Sequence, residues 1–547
     1  MANKTIGLHE LGISDIVSAF NPLTVSGKTA LETRLSNPLS DRTQLTERQN
    51  ELREMRTRAR SNKSRIEELR QQLRDTEDDV QSLAIAETDP RHSEYYSQIL
   101  WPAKSRFAWL NTMEWVNEGI VFFRTVFLPI VSILLPCLVL IAPLLAIMFL
   151  QDKPELTVAT YIQLLNNSIK TAMPSVLGKP RFAGRGGVLE MGEQLVHIAV
   201  GVSMFVASCW SQISSAMSLR AVVADMRRRA ESLCVFTEAT QELEDLLYAP
   251  VRPRSKPPSK PPAKPPTKPA VSLTRFGEAW NNPENVVNLL ERAGHLDMLA
   301  SMALAKKICF PKLGSKHVRI TDFYHPGISV EKRVYNSIAL EQQTHVILTG
   351  PNRGGKSTVL RCLGAAVLMA HTVGVVFARN AEMPVFTNIV SALAPQDKLD
   401  ELSLFESEIE FAKQVRALVR APKSQTFLMM DEIFHGTNAH DGVEASKEFL
   451  DDLYAHSDSV FSIISTHYME LPERYKRTKT KTEQGHGHGR VQTLCMDAEV
   501  NPANPEQILY KYTLQEGINS LSSVREILRE RGLISEKQKQ CENKDNK

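Results

Sequence analysis

The chain has 547 residues, which is long enough for two or three domains with separate cores. Its composition, 42% hydrophobic and 23% charged, is that of a globular protein, and its net charge of +3 neither favours nor excludes a nucleic-acid partner. The seven cysteines are scattered without a C-x-x-C pair, so the sequence predicts no disulfide framework or zinc knuckle and favours a reducing compartment. The first residues lack the apolar segment of a signal peptide.

The N-terminal region, residues 1–115, is dominated by a charged, helix-prone stretch at 43–98. Its apolar residues are too sparse for a continuous coiled-coil seam. This stretch is therefore predicted to be a long, largely solvated helix or a pair of helices.

An uncharged segment runs from Thr125 to Gln151 and consists mainly of Leu, Ile, Val and Phe. About 20 such residues suffice to cross a bilayer. The segment contains Pro129, Pro136 and Pro143, and proline is tolerated better in membrane helices than in soluble ones. We therefore predict a transmembrane helix at about 125–150. The alternative is a buried helix of a large soluble core.

A second apolar stretch, at 194–219, carries His197, Gln212 and several serines and is a weaker candidate. Two crossings would return the chain to the side that it left, so residues 116–220 are predicted to form a membrane hairpin. The lysines and arginines around the two stretches are distributed too evenly to decide the orientation.

The remaining chain is divided by a proline-rich segment. A helix is predicted at 221–248, and residues 249–272 contain a near-repeat of K-P-P-x. This composition favours extended polyproline II and predicts a semi-rigid basic linker; a ligand for proline-binding modules is the alternative. Residues 273–318 are predicted to be helical, 319–530 to form an α/β domain, and 531–547 to be a solvated tail.

A glycine-rich loop follows the apolar strand H-V-I-L-T and opens a helix. The pattern is G-x-x-x-x-G-K-S, in which glycines let backbone N–H groups surround phosphates and the helix N-terminus attracts negative charge. Lys356 would bind the β- and γ-phosphates, and Ser357 would bind Mg²⁺. The predicted nucleotide-binding residues are Gly350, Pro351, Asn352, Arg353, Gly354, Gly355, Lys356, Ser357 and Thr358.

Two further strands lead into residues that suit nucleotide hydrolysis. Q-T-F-L-M-M leads into Asp431, predicted to hold Mg²⁺ through water, and Glu432, predicted to be the base that orients the attacking water. V-F-S-I-I-S-T leads into His467, predicted to sense or stabilise the γ-phosphate. The sequence therefore predicts an ATPase with ATP and Mg²⁺ as cofactors and with Lys356, Glu432 and His467 as catalytic residues.

These motifs also resemble a known family. T-G-P-N-R-G-G-K-S-T, M-M-D-E-I-F-H-G-T-N-A-H-D-G and S-T-H-Y-M-E-L are similar, in order and spacing, to the ATPase domain of MutS proteins, the ABC-related mismatch-repair ATPases. The segment 403–408 resembles the signature loop of that family. The resemblance implies a homodimer through the ATPase domains, in which Ser403 reaches the nucleotide of the partner.

The chain departs from the family pattern at several positions. Glu401 and Leu402 replace a small and a basic residue of the signature loop, and Leu404 replaces a threonine. Arg353 replaces the methionine that is usual in the glycine-rich loop. These differences concern the residues that would face the nucleotide and the partner.

The resemblance extends to the helical part of the chain. Residues 25–52 are similar to the start of the MutS core domain, and 295–305 to the segment where that domain returns to the ATPase. The predicted fold is therefore a C-terminal α/β P-loop ATPase domain of the ABC type, preceded by a mostly α-helical, split core and lever domain with two transmembrane helices. The mismatch-reading domain of the family is expected to be absent, because the core-like motif begins near residue 25.

Two functions remain open at this point. The resemblance implies a DNA-binding ATPase related to mismatch repair, whereas the apolar stretches favour an ATP-driven membrane switch without a DNA substrate. The basic cluster at 227–229 suits either DNA or the cytoplasmic flank of a membrane helix. We expect an integral membrane protein in contact with lipid, with its ATPase on the cytoplasmic side. The G-H-G-H-G segment at 485–489 is interpreted as a surface loop, with metal binding as the alternative.

Overall fold

The computed structural model describes residues 4–86, 90–135, 138, 188–248, 273–342, 344–393, 403–456, 458–477 and 490–533. The chain is divided into two compact units. The first comprises residues 1–74, 239–253 and 291–547, and the second comprises residues 75–238 and 254–290. The predicted proline-rich linker, the G-H-G-H-G segment, Glu401, Leu402 and the tail beyond residue 533 lie outside the described residues.

Helices dominate the first three hundred residues. The described α-helices are α1 (Ile13–Phe20), α2 (Val25–Leu35), α3 (Arg42–Ser61), α4 (Lys63–Ala84), α5 (Pro90–Tyr96), α6 (Glu114–Phe122), α7 (Val188–Tyr248), α8 (Leu273–Asn281), α9 (Pro283–Leu304), α10 (Lys356–Thr372), α11 (Leu404–Val419), α12 (Ala439–Ala455), α13 (Glu470–Arg477) and α14 (Val524–Glu530). Helix α6 continues through a π-helical turn, Phe123–Phe127, into a longer helix whose described part runs to Leu135.

The strands belong to two sheets in the first unit. They are β1 (Lys4–Ile6), β2 (Lys312–Leu313), β3 (Val318–Phe323), β4 (Asn336–Leu340), β5 (Thr344–Thr349), β6 (Asn380–Met383), β7 (Asn388–Ala392), β8 (Thr426–Met430), β9 (Val460–Ser465), β10 (Arg490–Asn501) and β11 (Asn504–Glu516). The larger sheet has the order β1-β7-β8-β9-β5-β10-β11, and the smaller one has the order β2-β6-β3-β4.

The larger sheet is parallel except for the hairpin of β10 and β11. Every residue of β5, β8 and β9 is buried, which explains their mainly apolar sequences, because a parallel sheet is covered on both faces. Helix α10, which follows β5, is itself almost entirely buried. The α/β architecture predicted for the C-terminal half is therefore present in the structure.

The N-terminus of the chain adds an edge strand to this sheet, which the sequence analysis did not anticipate. Strand β1 pairs in parallel with β7, from Lys4 opposite Asn388 to Ile6 opposite Val390. The Glu10 carboxylate then accepts hydrogen bonds from the backbone N–H of Leu393 (2.7 Å) and the hydroxyl of Ser391 (2.9 Å). The first residues of the chain thus brace the C-terminal end of β7.

Helix α3 connects the helical region to the far end of α10. Arg48 donates to the carbonyl of Thr372 (2.7 Å), and the buried Gln49 amide donates to the carbonyls of Pro311 (2.9 Å) and Gly374 (3.2 Å). The helices at 43–98 were predicted to be largely solvated, but α3 has a continuous buried face: Leu45, Gln49, Leu52, Met55 and Ala59. That face is covered by chain segments that are remote in sequence, so local composition does not reveal it.

Helices α2 and α9 pack closely through two glycines and one buried carboxylate. A side chain at Gly294 would lie 2.6 Å from the backbone of Ser26, and one at Gly27 would lie 2.6 Å from Asp297. The fully buried Asp297 pairs with Arg70 (2.6 Å) and accepts from the N–H (2.9 Å) and hydroxyl (2.8 Å) of Thr24. The two segments that resemble the MutS core domain are thus in direct contact.

Within the second unit, the structure differs from the predicted pair of transmembrane helices. Among the described residues, one helix, Glu114–Leu135, is long and apolar enough to cross a bilayer, and it is mostly exposed. It starts before the predicted span at 125–150, of which residues 139–150 lie outside the described part of the chain. The predicted second span, 194–219, lies in the continuous helix α7, whose described side chains begin at residue 199. Among the described residues, that part of α7 is not a second such helix, and serines and Gln212 interrupt its apolar sequence.

Candidate active site

The glycine-rich loop at 350–355 connects the central strand β5 to helix α10. Gly350 (φ +144°) and Gly355 (φ +93°) adopt conformations that side chains disfavour, and both approach Met496 of β10 closely. Arg353 also has a positive φ of +66°. The loop therefore wraps around the N-terminus of α10, where backbone N–H groups and the helix dipole favour an anion.

Lys356 closes back onto this loop. Its buried ammonium group donates to the carbonyl oxygens of Gly350 (3.1 Å) and Pro351 (3.3 Å). Burial lowers the pKa of Lys356, whereas the carboxylates of Glu432 and Asp431 oppose this shift. Phosphate oxygens are stronger acceptors than carbonyls, so a nucleotide would attract this ammonium group away from the loop.

A cleft of about 440 Å³ lies beside the loop. This volume is within the range of small-molecule sites. Apart from the loop, its walls include Phe323, His325, Ile328, Asn336, Glu432 and Tyr512. Burial lowers the pKa of His325, which keeps this imidazole neutral at physiological pH. The walls thus combine apolar side chains with a few polar groups.

Strand β9 lies between β5 and β8, so the residues after β9 lie between the glycine-rich loop and the acidic pair. His467 Nε2 is 2.5 Å from Glu432 Oε1, and this hydrogen bond lowers the pKa of Glu432, aided by the positive charge of Lys356. Ser465 donates to Asp431 through its hydroxyl, which also accepts from the backbone N–H of Glu432 (2.9 Å). The structure therefore brings Asp431, Glu432 and His467 together at one edge of the sheet.

Glu432 has a backbone φ of +57°, which is uncommon for a residue with a side chain. The hydrogen bond of its N–H to Ser465 contributes to this local conformation. Sequence reasoning missed Ser465, although it is a polar residue at the C-terminal end of an otherwise apolar strand. Such a residue faces the same sheet edge as Asp431, which was the available signal.

Ser403 is the exposed N-cap of α11 and forms a capping box with Glu406. Its hydroxyl accepts from the N–H of Glu406 (3.3 Å), and the Glu406 carboxylate accepts from the N–H of Ser403 (2.9 Å). The preceding residues 394–402 lie outside the described part of the chain. Ser403 is separated from the P-loop cleft of its own chain, whose lining does not include it within the described residues.

Helix α11 is tied to the loop that follows Glu432. The Glu408 carboxylate accepts from the backbone N–H groups of His435 (3.2 Å) and Gly436 (3.1 Å), and it lies 2.9 Å from the His435 imidazole. His435 Nδ1 in turn is 2.8 Å from the carbonyl oxygen of Glu432. Glu408 and His435 were not predicted as site residues, yet they connect the helix headed by Ser403 to the backbone of Glu432.

A wall of the cleft is held by the β10–β11 hairpin. Asn336 donates to the carbonyl of Tyr512 (3.0 Å) and accepts from the N–H of Leu514 (2.7 Å). Tyr512, with φ +57°, lies close to Gly355, where an added Cβ would be 3.2 Å from its ring. Tyr512 was missed because an exposed tyrosine in a strand carries no motif of its own.

This arrangement defines a P-loop nucleotide-binding domain. The chain has a glycine-rich loop at the end of a central parallel strand and an acidic pair two strands away, with a sensor-like histidine from the strand between them. Residues 346–533 match the model of MutS domain V. This part of the chain is therefore similar to the ATPase domain of the MutS family, which implies that it binds ATP.

Distant relatives match part of the chain. The chain is 29% identical over 198 residues to "Endonuclease MutS2" of Lactobacillus helveticus, which covers 36% of this chain and 25% of that protein. It is 28% identical over 201 residues to "DNA mismatch repair protein MutS" of Streptococcus pyogenes serotype M5, which covers 35% of this chain and 23% of that protein. The matched region thus spans about a quarter of the length of these relatives.

Proposed function

We propose that this chain is an Mg²⁺-dependent ATPase that acts as a dimer. The observation that carries the proposal is the contact of His467 with Glu432 at the edge of the sheet that also holds the P-loop. Because the pKa of Glu432 is lowered, its side chain is a carboxylate at neutral pH and can orient a water molecule for attack on the γ-phosphate. His467 would then sense or stabilise the negative charge of that phosphate.

Mg²⁺ would be held by oxygen ligands. The hydroxyl of Ser357 at the start of α10 and the carboxylate of Asp431 are donors that this cation prefers, directly or through water. When bound, the ion would neutralise part of the phosphate charge. Lys356 would bind the β- and γ-phosphates, and the backbone N–H groups of residues 350–358 would surround them.

The position of Ser403 supports a composite site made by two chains. Ser403 is exposed at a helix N-terminus, where a serine hydroxyl and the helix dipole suit an anion, but the cleft of its own chain is elsewhere. Glu408 connects the same helix to the loop after Glu432. ATP bound in the cleft of one protomer and contacted by Ser403 of the other would therefore be connected, through Glu408, to the loop after Glu432 in that second protomer.

Mixed dimers test this arrangement. In a heterodimer of Lys356→Ala and Ser403→Ala protomers, one composite site has both mutations and the other has neither. We expect an equal mixture to recover about a quarter of the wild-type ATPase rate if subunits exchange randomly. Heterodimer formation is verified with two affinity tags. A verified mixture that hydrolyses ATP no faster than the two separate mutants would refute the trans role of Ser403.

Two functions from different classes are candidates for what the ATP cycle drives: an action on DNA and a membrane switch. The relatives are named for mismatch repair or endonuclease activity, which supports DNA as the first candidate. A specific observation favours the second, a membrane switch: the apolar helix Glu114–Leu135 of the second unit is mostly exposed. Arg227 pairs with Glu118 (2.7 Å), and Arg228 pairs with Asp79 (2.6 Å), so these arginines already have carboxylate partners within the second unit. Arg229 likewise pairs with Asp225 (2.8 Å).

The ATPase rate distinguishes the two candidates. Purified protein is measured in detergent and in lipid nanodiscs, each with no DNA, perfect duplex, mismatched duplex and branched DNA. A DNA-acting ATPase is expected to change kcat or KM with DNA, and the effect should weaken steeply as salt rises. A membrane switch is expected to respond to the lipid and to ignore every DNA. A response to DNA alone would remove the second candidate, and a response to lipid alone would remove the first.

We also propose that the chain is anchored in a membrane by a helical hairpin. Glu114–Leu135 is mostly exposed, and helix α7 exposes Val202, Met204, Val206, Trp210, Ile213 and Met217. An apolar helix without a protein partner suits lipid. The pair of Glu118 with Arg227 supports neighbouring ends for the two helices within this unit. Trp115 (74% exposed) near one end is typical of a membrane–water interface.

Cysteine labelling tests the hairpin. Single cysteines are placed at Ser175, in the loop between the two apolar stretches, and at the exposed positions Ser61 and Lys423 in the first unit. In sealed vesicles, we expect a membrane-impermeant reagent to label Ser61→Cys and Lys423→Cys from one side and Ser175→Cys from the other. Labelling of all three positions from the same side would show that the hairpin does not cross the membrane.

A further inference from the structure

The P-loop arginine is paired with the C-terminal helix of the domain. The Arg353 guanidinium group forms an ion pair with the carboxylate of Glu530 at the end of α14. Both side chains are about half exposed, at 41% and 53%. Arg353 also lines the cleft that contains Lys356, so one side chain lies between an acidic partner and the nucleotide site.

The segment that carries Glu530 is itself anchored on the P-loop and on β11. The buried Ser523 donates through its hydroxyl to the carbonyl of Asn352 (3.1 Å). Tyr510 donates through its hydroxyl to Glu526 (2.6 Å), which also accepts from the N–H of Ile508 (3.0 Å). These contacts hold α14 beside the loop. Glu530 is therefore kept within reach of Arg353.

A nucleotide would compete for the same guanidinium group. An exposed pair between arginine and a carboxylate contributes little free energy, whereas arginine binds phosphate through strong, bidentate hydrogen bonds. The arginine is three residues before Lys356 in the loop that surrounds the phosphates. Its long side chain needs only to rotate away from Glu530 to face the cleft.

We propose that Arg353 is a phosphate-binding residue whose guanidinium group pairs with Glu530 when no nucleotide is bound. Nucleotide binding transfers this group from Glu530 to the phosphates. This inference rests on the ATP site proposed above and adds a regulatory partner to it. Nucleotide occupancy then frees Glu530 and loosens the C-terminal end of α14. The helix becomes an element whose contacts depend on the state of the P-loop.

A double-mutant cycle on nucleotide affinity tests the exchange. The Kd of a fluorescent ATP analogue is measured for wild type, Glu530→Gln, Arg353→Met and the double mutant. Glu530→Gln removes the competing carboxylate and should tighten binding about two- to fivefold, the range of an exposed ion pair. Arg353→Met should weaken binding by about tenfold or more. In the Arg353→Met background, Glu530→Gln should have no further effect.

The cycle separates the exchange from a general electrostatic effect, because removing a nearby negative charge would tighten binding in both backgrounds. Glu506→Gln is the matched control, since it removes the pair of Glu506 with Arg529 (3.1 Å) in the same segment and should leave the Kd unchanged. Thermal unfolding verifies that the variants are folded. Arg353→Lys, which keeps the charge, should retain part of the affinity.

Two results would overturn the inference: an unchanged Kd in Glu530→Gln, or an equal change with and without Arg353. If the wild type still binds ATP and Lys356→Ala abolishes binding, either result leaves the proposed ATP site intact and removes only the role of Arg353. If the wild type binds no ATP, the proposed function fails together with the inference.

Discussion

Glu432→Gln is expected to bind ATP within a few-fold of wild type and to hydrolyse it about 10² to 10⁴ times more slowly, which is the usual contribution of a general base. The amide keeps the shape of the side chain and can remain close to His467, but it cannot accept a proton from the attacking water. Lys356→Ala should give the opposite pattern, because it removes the cation that binds the phosphates while leaving the hydrolytic group in place. Glu432→Ala should agree with the glutamine variant.

The measurement combines single-turnover hydrolysis with equilibrium binding of ATP, so that chemistry and affinity are determined separately. Glu410→Gln is the matched control, because Glu410 is an exposed residue of α11 that pairs with Lys413 (3.0 Å). It should be indistinguishable from wild type. An unaltered single-turnover rate in Glu432→Gln would exclude Glu432 as the base.

The second large effect is expected in the helical part of the first unit. Asp297→Ala should lower the free energy of unfolding by about 3–5 kcal/mol, the cost of leaving one partner of a buried ion pair uncompensated. Asp297 is fully buried, and its loss leaves Arg70 Nε and the N–H and hydroxyl of Thr24 without this acceptor. Urea unfolding followed by far-UV circular dichroism measures the change.

Glu291→Ala serves as the control, because Glu291 is an exposed carboxylate on the same helix, α9. It should change the stability by less than about 0.5 kcal/mol. The double variant Arg70→Met with Asp297→Leu should recover part of the loss, since replacing a whole buried pair by apolar residues is often tolerated. Equal destabilisation by Asp297→Ala and Glu291→Ala would mean that the buried network does not hold α2, α4 and α9 together.

The P-loop and the acidic pair could be identified from the sequence because each is a short local pattern. A phosphate-binding loop needs glycines where the backbone has a positive φ, and the structure has Gly350 and Gly355 in that conformation. Buried parallel strands need mainly apolar sequences, which marked β5, β8 and β9 and thereby the residues that follow them. Composition marked an apolar segment at 125–150, of which residues 125–135 belong to the helix that the structure gives as Glu114–Leu135.

Contacts between remote segments were decided only by the tertiary structure. No local pattern indicates that the first residues of the chain form a strand beside β7, that Glu408 accepts from the loop after Glu432, or that Arg353 pairs with Glu530. The contact of Thr24 with Asp297 joins residues 273 positions apart. Such pairs depend on which surfaces pack together, and packing minimises the free energy of the whole chain rather than that of any window. The residues suited to ATP chemistry can therefore be identified from the sequence. The partners that position and restrain them are identified only in the folded chain.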